Sequence, residues 1–447
     1  MERRHFIKGS VALTSLTLLP ASVLALSKDR KLRTAHIGVG GMGAEDLKAI
    51  SSHKQVEVVA LCDVDSNFLA VANELHPKAK IFSDYRKMLE DVGRDIDAVI
   101  VSTPDHTHAP ASIKAMKIGK AVYCQKPLTH HVTEARAMQK LAKEKKLITQ
   151  MGIQVHSFYD YKLATLLIRS GIIGKVKTVR AWSPKNWGYD GAVPLGSDPI
   201  PETLDWNLWL GTSAERPYKT GIYHPGNWRK LMDYGCGTLG DMGVHIFDTP
   251  YNALELDVPK TIKNKCRKPN GFGFPEKNTV TYKFPPTKYT TRTFKWVWYD
   301  GEGAPKKHRE LKLPNGDTLP DQGAMFIGEK GRLLLPHFME LPRLIVDGKY
   351  QNMDAEIKNI EQASKIGAPI RNYETEGTKH YHQFVDACLG KDSCTAPFSY
   401  ASRLTETILL GVIAGRFPNK TLHWDNATAR FEEDEANQFL DAPYREF

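Results

Sequence analysis

Cysteine is scarce: six in 447 residues, none forming C-x-x-C and none at zinc-ligand spacing. A disulfide scaffold and a structural zinc module are therefore excluded, and no metal is expected. Long apolar runs are missing too. The longest, residues 11–26, falls short of the roughly 20 that a membrane span needs, so no stable span is expected. There is no internal repeat and no low-complexity tract, which excludes solenoids and disordered linkers. A basic stripe interleaved with aromatics is also absent. The chain carries a net +10, but residues 1–33 hold seven Lys/Arg against two acids, half of that excess. The basic balance thus belongs largely to one segment, and no nucleic-acid partner is expected.

What remains is an ordinary globular composition, 41% hydrophobic and 25% charged. A chain this long can bury on the order of 70–75% of its unfolded surface. Cys62 and Cys124 end apolar strands and read as small buried thiols. Cys388 and Cys394 are the pair that an oxidising compartment would allow to bond.

The first residues have export anatomy. MERRHFIKGS is a charged leader, VALTSLTLLPASVLAL an apolar stretch, and Val23-Leu24-Ala25 a small-residue cleavage site. Arg3-Arg4 with Phe6 and Lys8 fits a twin-arginine signal, although Glu2 replaces the usual Ser or Thr. A general secretory signal with two coincidental arginines is the alternative. Residues 1–25 are thus assigned to an export signal, 26–33 to a linker, and the mature protein to the periplasm.

From residue 34 to 155 strands alternate with helices. LRTAHIGVG, VEVVALCDV, KIFS, IDAVIVSTP, KAVYCQKP and LITQMG are strands with helical segments between them. This alternation predicts parallel βαβ units, and the nearly continuous apolar runs predict strands covered on both faces. After residue 155 the rhythm changes. A helix, FYDYKLATLLIRSG, leads to the alternating strand KVKTVRAW and a Pro- and Gly-rich loop over 183–203. NTVTYKF, YTTRTFKWVWY, GRLLLP and PRLIVDG then alternate as antiparallel strands do, and two helices follow. Residues 156–447 read as an α+β domain on an antiparallel or mixed sheet.

Three motifs carry chemistry. The first, Gly38-Val39-Gly40-Gly41-Met42-Gly43, is G-x-G-x-x-G between a strand and a helix. Gly38 permits the tight turn, Gly40 lets a pyrophosphate approach the backbone, and Gly43 allows close helix–strand packing. Asp63 ends the second strand, where its carboxylate can accept ribose hydroxyls and repel a 2′-phosphate. NAD is expected rather than NADP. The second motif is Lys126, at the carboxyl end of a parallel strand, where doubly wound sheets bind ligands. A lysine desolvated beside a nicotinamide can exchange protons with a substrate hydroxyl, and Pro127 keeps the preceding backbone extended. The third is GCGTLGDMGVHIFD, residues 235–248. Thr238 is placed to N-cap a helix with Asp241 at N3, and Asp241 and His245 share a face at i, i+4. A carboxylate beside an imidazole suits acid–base work; a capping Asp with a core histidine is the alternative.

Taken in order, the glycine turn, CDVD, VSTPDHTHAP, Lys-Pro, TQMG and GTLGDMGVHIFD resemble the Gfo/Idh/MocA oxidoreductases, the family of glucose–fructose oxidoreductase and inositol dehydrogenase. The resemblance implies an α/β Rossmann domain with a doubly wound parallel sheet. It also implies a C-terminal α+β domain with an open, mainly antiparallel sheet often used to form homodimers or tetramers. Lys126 and His245 would be the catalytic pair, with Asp241 in support. Thr103, Pro104 and His108 would lie by the cofactor, and His156 is a candidate substrate contact or a surface histidine. Where the family has Glu-Lys-Pro, this chain has Gln125. The amide can still bond the nicotinamide ribose, but one negative charge near Lys126 is gone, which predicts a more readily neutral lysine. Trp187, Trp228 and Arg229 fall in loops, where they either clamp a pyranose or pack in the core.

The expected activity is hydride transfer between a sugar or glycoside hydroxyl carbon and a tightly bound NAD(H). An exported enzyme meets no ready pool of free NAD. Recycling would then couple two sugars, serve a redox-neutral glycosidase that oxidises, eliminates and reduces again, or yield a 3-keto glycoside for partner enzymes. The redox-neutral glycosidases of this superfamily lack the Lys-Pro motif, which ranks the dehydrogenase first. A non-catalytic sugar- or nucleotide-binding protein is a different class, and the intact Lys126, Asp241 and His245 speak against it.

Overall fold

The computed structural model describes residues 30–305 and 308–447. The expected export signal therefore lies outside the described residues. No helix among the described residues is long and apolar enough to cross a membrane.

The first half builds the expected βα alternation: β1 (Leu32–Ile37), α1 (Met42–Ser51), β2 (Val56–Cys62), α2 (Ser66–Leu75), β3 (Lys80–Phe82), α3 (Tyr85–Val92), β4 (Ala98–Val101), α4 (Asp105–Lys117), β5 (Ala121–Gln125), α5 (Val132–Lys145) and β6 (Thr149–Gly152). The six strands form one sheet in the order β3-β2-β1-β4-β5-β6, every pairing parallel. Every residue of β4 is buried, as strands covered on both faces must be. Polar side chains start the helices: Asp65 accepts from the Asn67 N–H ahead of α2, and Asp84 from the Arg86 N–H ahead of α3.

The second half comprises α6 (Tyr159–Arg169), β7 (Val176–Trp182), α7 (Trp206–Leu210), α8 (Val244–Ala253), β8 (Thr261–Lys265), β9 (Thr279–Lys283), β10 (Thr290–Tyr299), β11 (Gly323–Gly328), β12 (Arg332–Pro336), β13 (Arg343–Val346), β14 (Lys349–Gln351), α9 (Asp354–Lys358), α10 (Tyr373–Cys388), α11 (Phe398–Ala414), β15 (Thr421–Asp425) and β16 (Arg430–Phe431). Its ten strands run β14-β13-β12-β11-β7-β10-β9-β8-β15-β16. Only β7 and β10 pair in parallel; the other neighbours are antiparallel. The sheet is therefore open and mainly antiparallel, as expected. Helix α8 lies on it, with the Phe247 ring stacked on Trp296 at 4.1 Å.

Two late helices tie the halves together. Tyr381, Phe384 and Val385 of α10 pack on Leu32, Ala98, Ile100 and Tyr123 of the parallel sheet. Helix α11 is buried along most of its length, and the Thr405 hydroxyl accepts the Leu128 N–H beyond β5. The six cysteines are free thiols, so Cys388 and Cys394 are not bonded.

Candidate functional site

A cavity of about 500 Å3 runs along the carboxyl ends of β1, β2, β4 and β5. The glycine turn forms one wall. Gly38 has φ 80°, and a Cβ there would lie 2.6 Å from the Ser102 carbonyl oxygen. A Cβ on Gly43 would lie 2.2 Å from the Gly38 carbonyl oxygen, so α1 could not start so close to the turn. Gly40 has a different cause from the one the motif suggested: the ring of Phe68 occupies the space its Cβ would fill, at 2.2 Å. Gly41 and Met42 line the cavity, and α1 begins there with no side-chain cap. A helix start of this kind leaves N–H groups for phosphate oxygens.

Asp63 faces the same wall. Its carboxylate accepts the Val39 N–H at 2.8 Å and the Asp65 N–H at 2.9 Å. Burial raises its pKa above the usual carboxylate value, and these two N–H groups partly offset the rise. An anion fixed here suits ribose hydroxyls and disfavours a 2′-phosphate. The residues fit NAD.

At the opposite end Lys126 follows β5, its side chain 12% exposed. The Lys126–Pro127 peptide is cis. The ammonium donates to the Asp241 carboxylate at 2.8 Å and to the Asp241 carbonyl at 3.1 Å. Arg229 donates to the same carboxylate oxygen at 3.3 Å, its guanidinium 4.3 Å from the Trp228 ring centre and 5.6 Å from that of Trp187. Burial alone would raise the Asp241 carboxyl, but the Lys126 and Arg229 charges hold it well below the usual range. Asp241 does not sit in a capping box. The Thr238 hydroxyl accepts the Trp187 N–H at 2.7 Å, and Leu239–Gly243 form a π turn that runs into α8. Gly240 permits this path, since a Cβ there would lie 2.2 Å from that of Cys236.

His245 stands one turn beyond Asp241. Burial, then the Lys126 charge, pushes its pKa far below the usual histidine value, so the imidazole is neutral at pH 7. Its Nδ1 is buried with no hydrogen-bond partner among the described residues.

The remaining predicted residues divide. Thr103, Pro104, His108, Trp187 and Arg229 line the cavity. His108 bridges two of its loops, with Nδ1 2.8 Å from the Pro127 carbonyl and Nε2 2.8 Å from that of Thr103. His156 is absent from the lining; its Nδ1 is 2.9 Å from the Asp248 carboxylate, and its side chain is 9% exposed. Gln125 borders the cavity, but its side chain is turned inward. Its amide donates to both Asp46 oxygens at 2.9 Å, and its carbonyl accepts the Lys126 N–H at 3.2 Å. Asp46 also accepts from Ser102 at 2.6 Å and Tyr381 at 2.7 Å, and burial pushes its carboxyl up to about 6. The residue facing Asp46 must be a donor, which a carboxylate is not. The negative charge beside Lys126 comes from Asp241 instead.

Sequence reasoning missed three contributors. Asp105, the first residue of α4, lines the cavity; burial pushes its carboxyl up to about 7 despite the nearby Arg229 and Lys126 charges. Its position at a helix start reads as ordinary capping. His224 bonds Asp65 at 2.9 Å and packs on Phe68, ring centres 5.5 Å apart. It belongs to an aromatic segment between β7 and α8 that roofs the cavity, pinned by Ser66 N–H to Thr203 and Asp205 N–H to Val64, both at 2.9 Å. Stacked Trp206 and Trp209 lie at its centre, ring centres 4.7 Å apart. Its signals in the sequence were the abundance of Trp and Tyr and the loop residues Trp187, Trp228 and Arg229. The third, His337, lies beside His245.

Comparison with known proteins agrees with this architecture. Residues 32–153 match the Gfo/Idh/MocA oxidoreductase family, NAD-binding Rossmann fold, and residues 159–282 match the C-terminal alpha/beta domain of the same family. A glycosyl hydrolase family 109 protein from Stenotrophomonas maltophilia is 39% identical over 136 residues, 28% of this chain and 29% of that protein. A levoglucosan dehydrogenase from Pseudarthrobacter phenanthrenivorans is 27% identical over 167 residues, 37% of this chain and 34% of that protein. Each match thus spans about a third of the relative's own length. The structure of an aldose–aldose oxidoreductase from Caulobacter crescentus superimposes with a TM-score of 0.58 at 15% identity, covering 88% of this chain and all of that one, which shows a shared fold.

Proposed function

Because the chain belongs to the Gfo/Idh/MocA oxidoreductase family, with its NAD-binding Rossmann domain over residues 32–153, we propose that it is a sugar or glycoside dehydrogenase working on a tightly held NAD(H). The observation that carries this is the join of two features in one space. A wall shaped for a dinucleotide ends at Lys126 and Asp241, which are bonded to each other; the neutral His245 stands one turn beyond Asp241, outside the residues that line the cavity. The glycine turn and the start of α1 would take the diphosphate, and Asp63 the adenosine ribose. NAD, when bound, supplies the hydride acceptor.

The protein's own groups handle the proton and the substrate. A neutral imidazole at His245 can accept the hydroxyl proton as the carbon loses hydride. Lys126, aimed by Asp241, can donate to the developing oxyanion or relay its proton. Arg229 holds Asp241 from the other side and keeps it anionic. Trp187 and Trp228, beside Arg229, offer flat faces to a pyranose.

The roof over the cavity supports slow exchange of the dinucleotide. This matches export in a folded, loaded state, for which the twin-arginine-like leader and a periplasmic destination are part of the proposal. Assembly into a homodimer or tetramer through the open sheet is proposed on the same family grounds. A second reading, a redox-neutral glycosidase, is favoured by the glycosyl hydrolase family 109 relative; the Lys126-Pro127 motif weighs against it. Native mass spectrometry of the purified protein, followed by a glycoside panel without added cofactor, tests both. Retained NAD reduced by sugar supports the dehydrogenase. Free monosaccharide released with no net NADH supports the glycosidase. No retained NAD and no response to any glycoside would sink both.

A further inference from the structure

His337 follows β12 and stands beside His245. Its backbone N–H donates to the Gln322 carbonyl at 2.9 Å, which fixes it to the start of β11. The Tyr161 hydroxyl of α6 is hydrogen-bonded to its Nδ1, so the ring cannot swing. Its ring centre is 6.0 Å from that of His245, the planes tilted by 34°. Burial and the Lys126 charge lower both imidazoles, His337 to about 3, so both are neutral at pH 7. Nε2 of His337 has no hydrogen-bond partner among the described residues, and neither has any side-chain nitrogen of His245. Of these nitrogens Nδ1 of His245 is buried, and a buried polar nitrogen without a partner is rare; the half-buried His337 beside it keeps Nε2 free for a ligand.

We propose that His337 is a specificity-determining residue that binds the hydroxyl next to the one oxidised, so that the protein selects sugars and polyols carrying a vicinal diol. This rests on the dehydrogenase assignment and extends it to the substrate. Two imidazoles this close leave no room for a ring between them. They do leave room for one hydroxyl on each when the hydroxyls sit on neighbouring carbons. A neutral imidazole has one donor and one acceptor. With Nδ1 committed to Tyr161, His337 has one bond left, and a hydroxyl can complete it with either tautomer. A substrate lacking that hydroxyl leaves Nε2 unpaired, which is how a polar site rejects a deoxy analogue.

The test uses full-length NAD-loaded protein, a panel of methyl pyranosides with levoglucosan and myo-inositol, and the monodeoxy analogues of whichever is oxidised. Two variants separate the roles of the ring nitrogens. His337→Asn keeps an amide where Nδ1 meets Tyr161 and loses the outer contact; His337→Gln places an amide near Nε2. Wild type should lose about tenfold or more in kcat/KM when the hydroxyl flanking the oxidised carbon is missing. His337→Gln should keep most of that discrimination, and His337→Asn should lose it, with the change in KM and in sugar-induced tryptophan quenching rather than in kcat. If His337→Asn melts like wild type and still discriminates as wild type does, the assignment of His337 is overturned alone. If wild type oxidises nothing in the panel, the dehydrogenase assignment falls and takes this inference with it.

Discussion

Lys126 is held by two oxygens of a single residue, the Asp241 carboxylate and carbonyl. That geometry holds the amine at the cavity wall. Lys126→Ala is expected to lower turnover by about 10²–10⁴ with NAD still bound, measured as steady-state rates beside cofactor content by mass spectrometry. Turnover within tenfold of wild type would remove Lys126 from proton transfer. Its neighbour acts elsewhere. Gln125 donates to Asp46, whose carboxyl burial has already pushed up to about 6. Gln125→Glu would set two carboxyls face to face with one proton between them. Their folded pKa rises above the unfolded one, so stability present at low pH is lost as pH climbs through the folded value. The variant's Tm deficit should therefore be larger at pH 8 than at pH 5; equal deficits would contradict the pairing. The glycine turn, Asp63 and Lys126 could be placed from the sequence because the alternation of strands and helices puts each at a strand's carboxyl end. Gln125 was not, because its partner lies 79 residues away and only the fold brings them together.

At the level of elements, the segment between β7 and α8 decides how the cavity closes. His224 ties it to Asp65, the residue that caps α2 just past β2. His224→Ala should speed loss of bound NAD about tenfold, roughly the value of one charged hydrogen bond, followed by dilution and rapid filtration. An unchanged release rate would show that the roof closes without this contact. In the sequence only its first part, residues 183–203, reads as a Pro- and Gly-rich loop, and neither period 2 nor period 3.6 runs through the rest. Its order comes from ring stacking and from backbone bonds to the β2–α2 connection, which carry no periodic signal. The start of α8 misled for a related reason. Thr, Asp and glycines in that order look like a capping box, yet Lys126 and Arg229 take the carboxylate and Trp187 takes the hydroxyl. Strands β8, β11 and β15 are short and lack strong β-branched or aromatic runs, and they are strands because the wide sheet pairs them.

Across the whole molecule, burial of titratable groups sets the pH response. His36 and His337 are pushed down to about 3, and His106, His108, His131 and His380 to about 4, in each case by desolvation. Asp46 is raised to about 6, and Asp105, Glu134 and Asp300 to about 7, also by desolvation. A lowered histidine contributes stability above its unfolded value near 6.5 that is lost as pH falls toward 4. A raised carboxyl acts in the opposite sense, its stability lost as pH rises from about 4 toward 7. The histidines outnumber the carboxyls between pH 4 and 6.5, so Tm should fall on acidification through that window. Calorimetry showing a rise would contradict the burial of these rings. Both sheets and their parallel and antiparallel character were legible, because alternation of strands with helices differs in kind from alternation of strands with turns. The crossing back of α10 onto the first sheet was not, since its apolar face does not say which sheet it covers.

The central claim is that one NAD, kept in the cavity, is reduced by a sugar whose proton leaves through Lys126 and His245. Absorbance at 340 nm of the purified protein, read on adding a glycoside panel with no cofactor supplied, tests it most directly. The account predicts a rise with at least one sugar, limited to one equivalent per bound NAD in wild type and lost in both Lys126→Ala and His245→Ala. A flat trace from NAD-loaded wild type across the whole panel, or an undiminished rise in both variants, would contradict it.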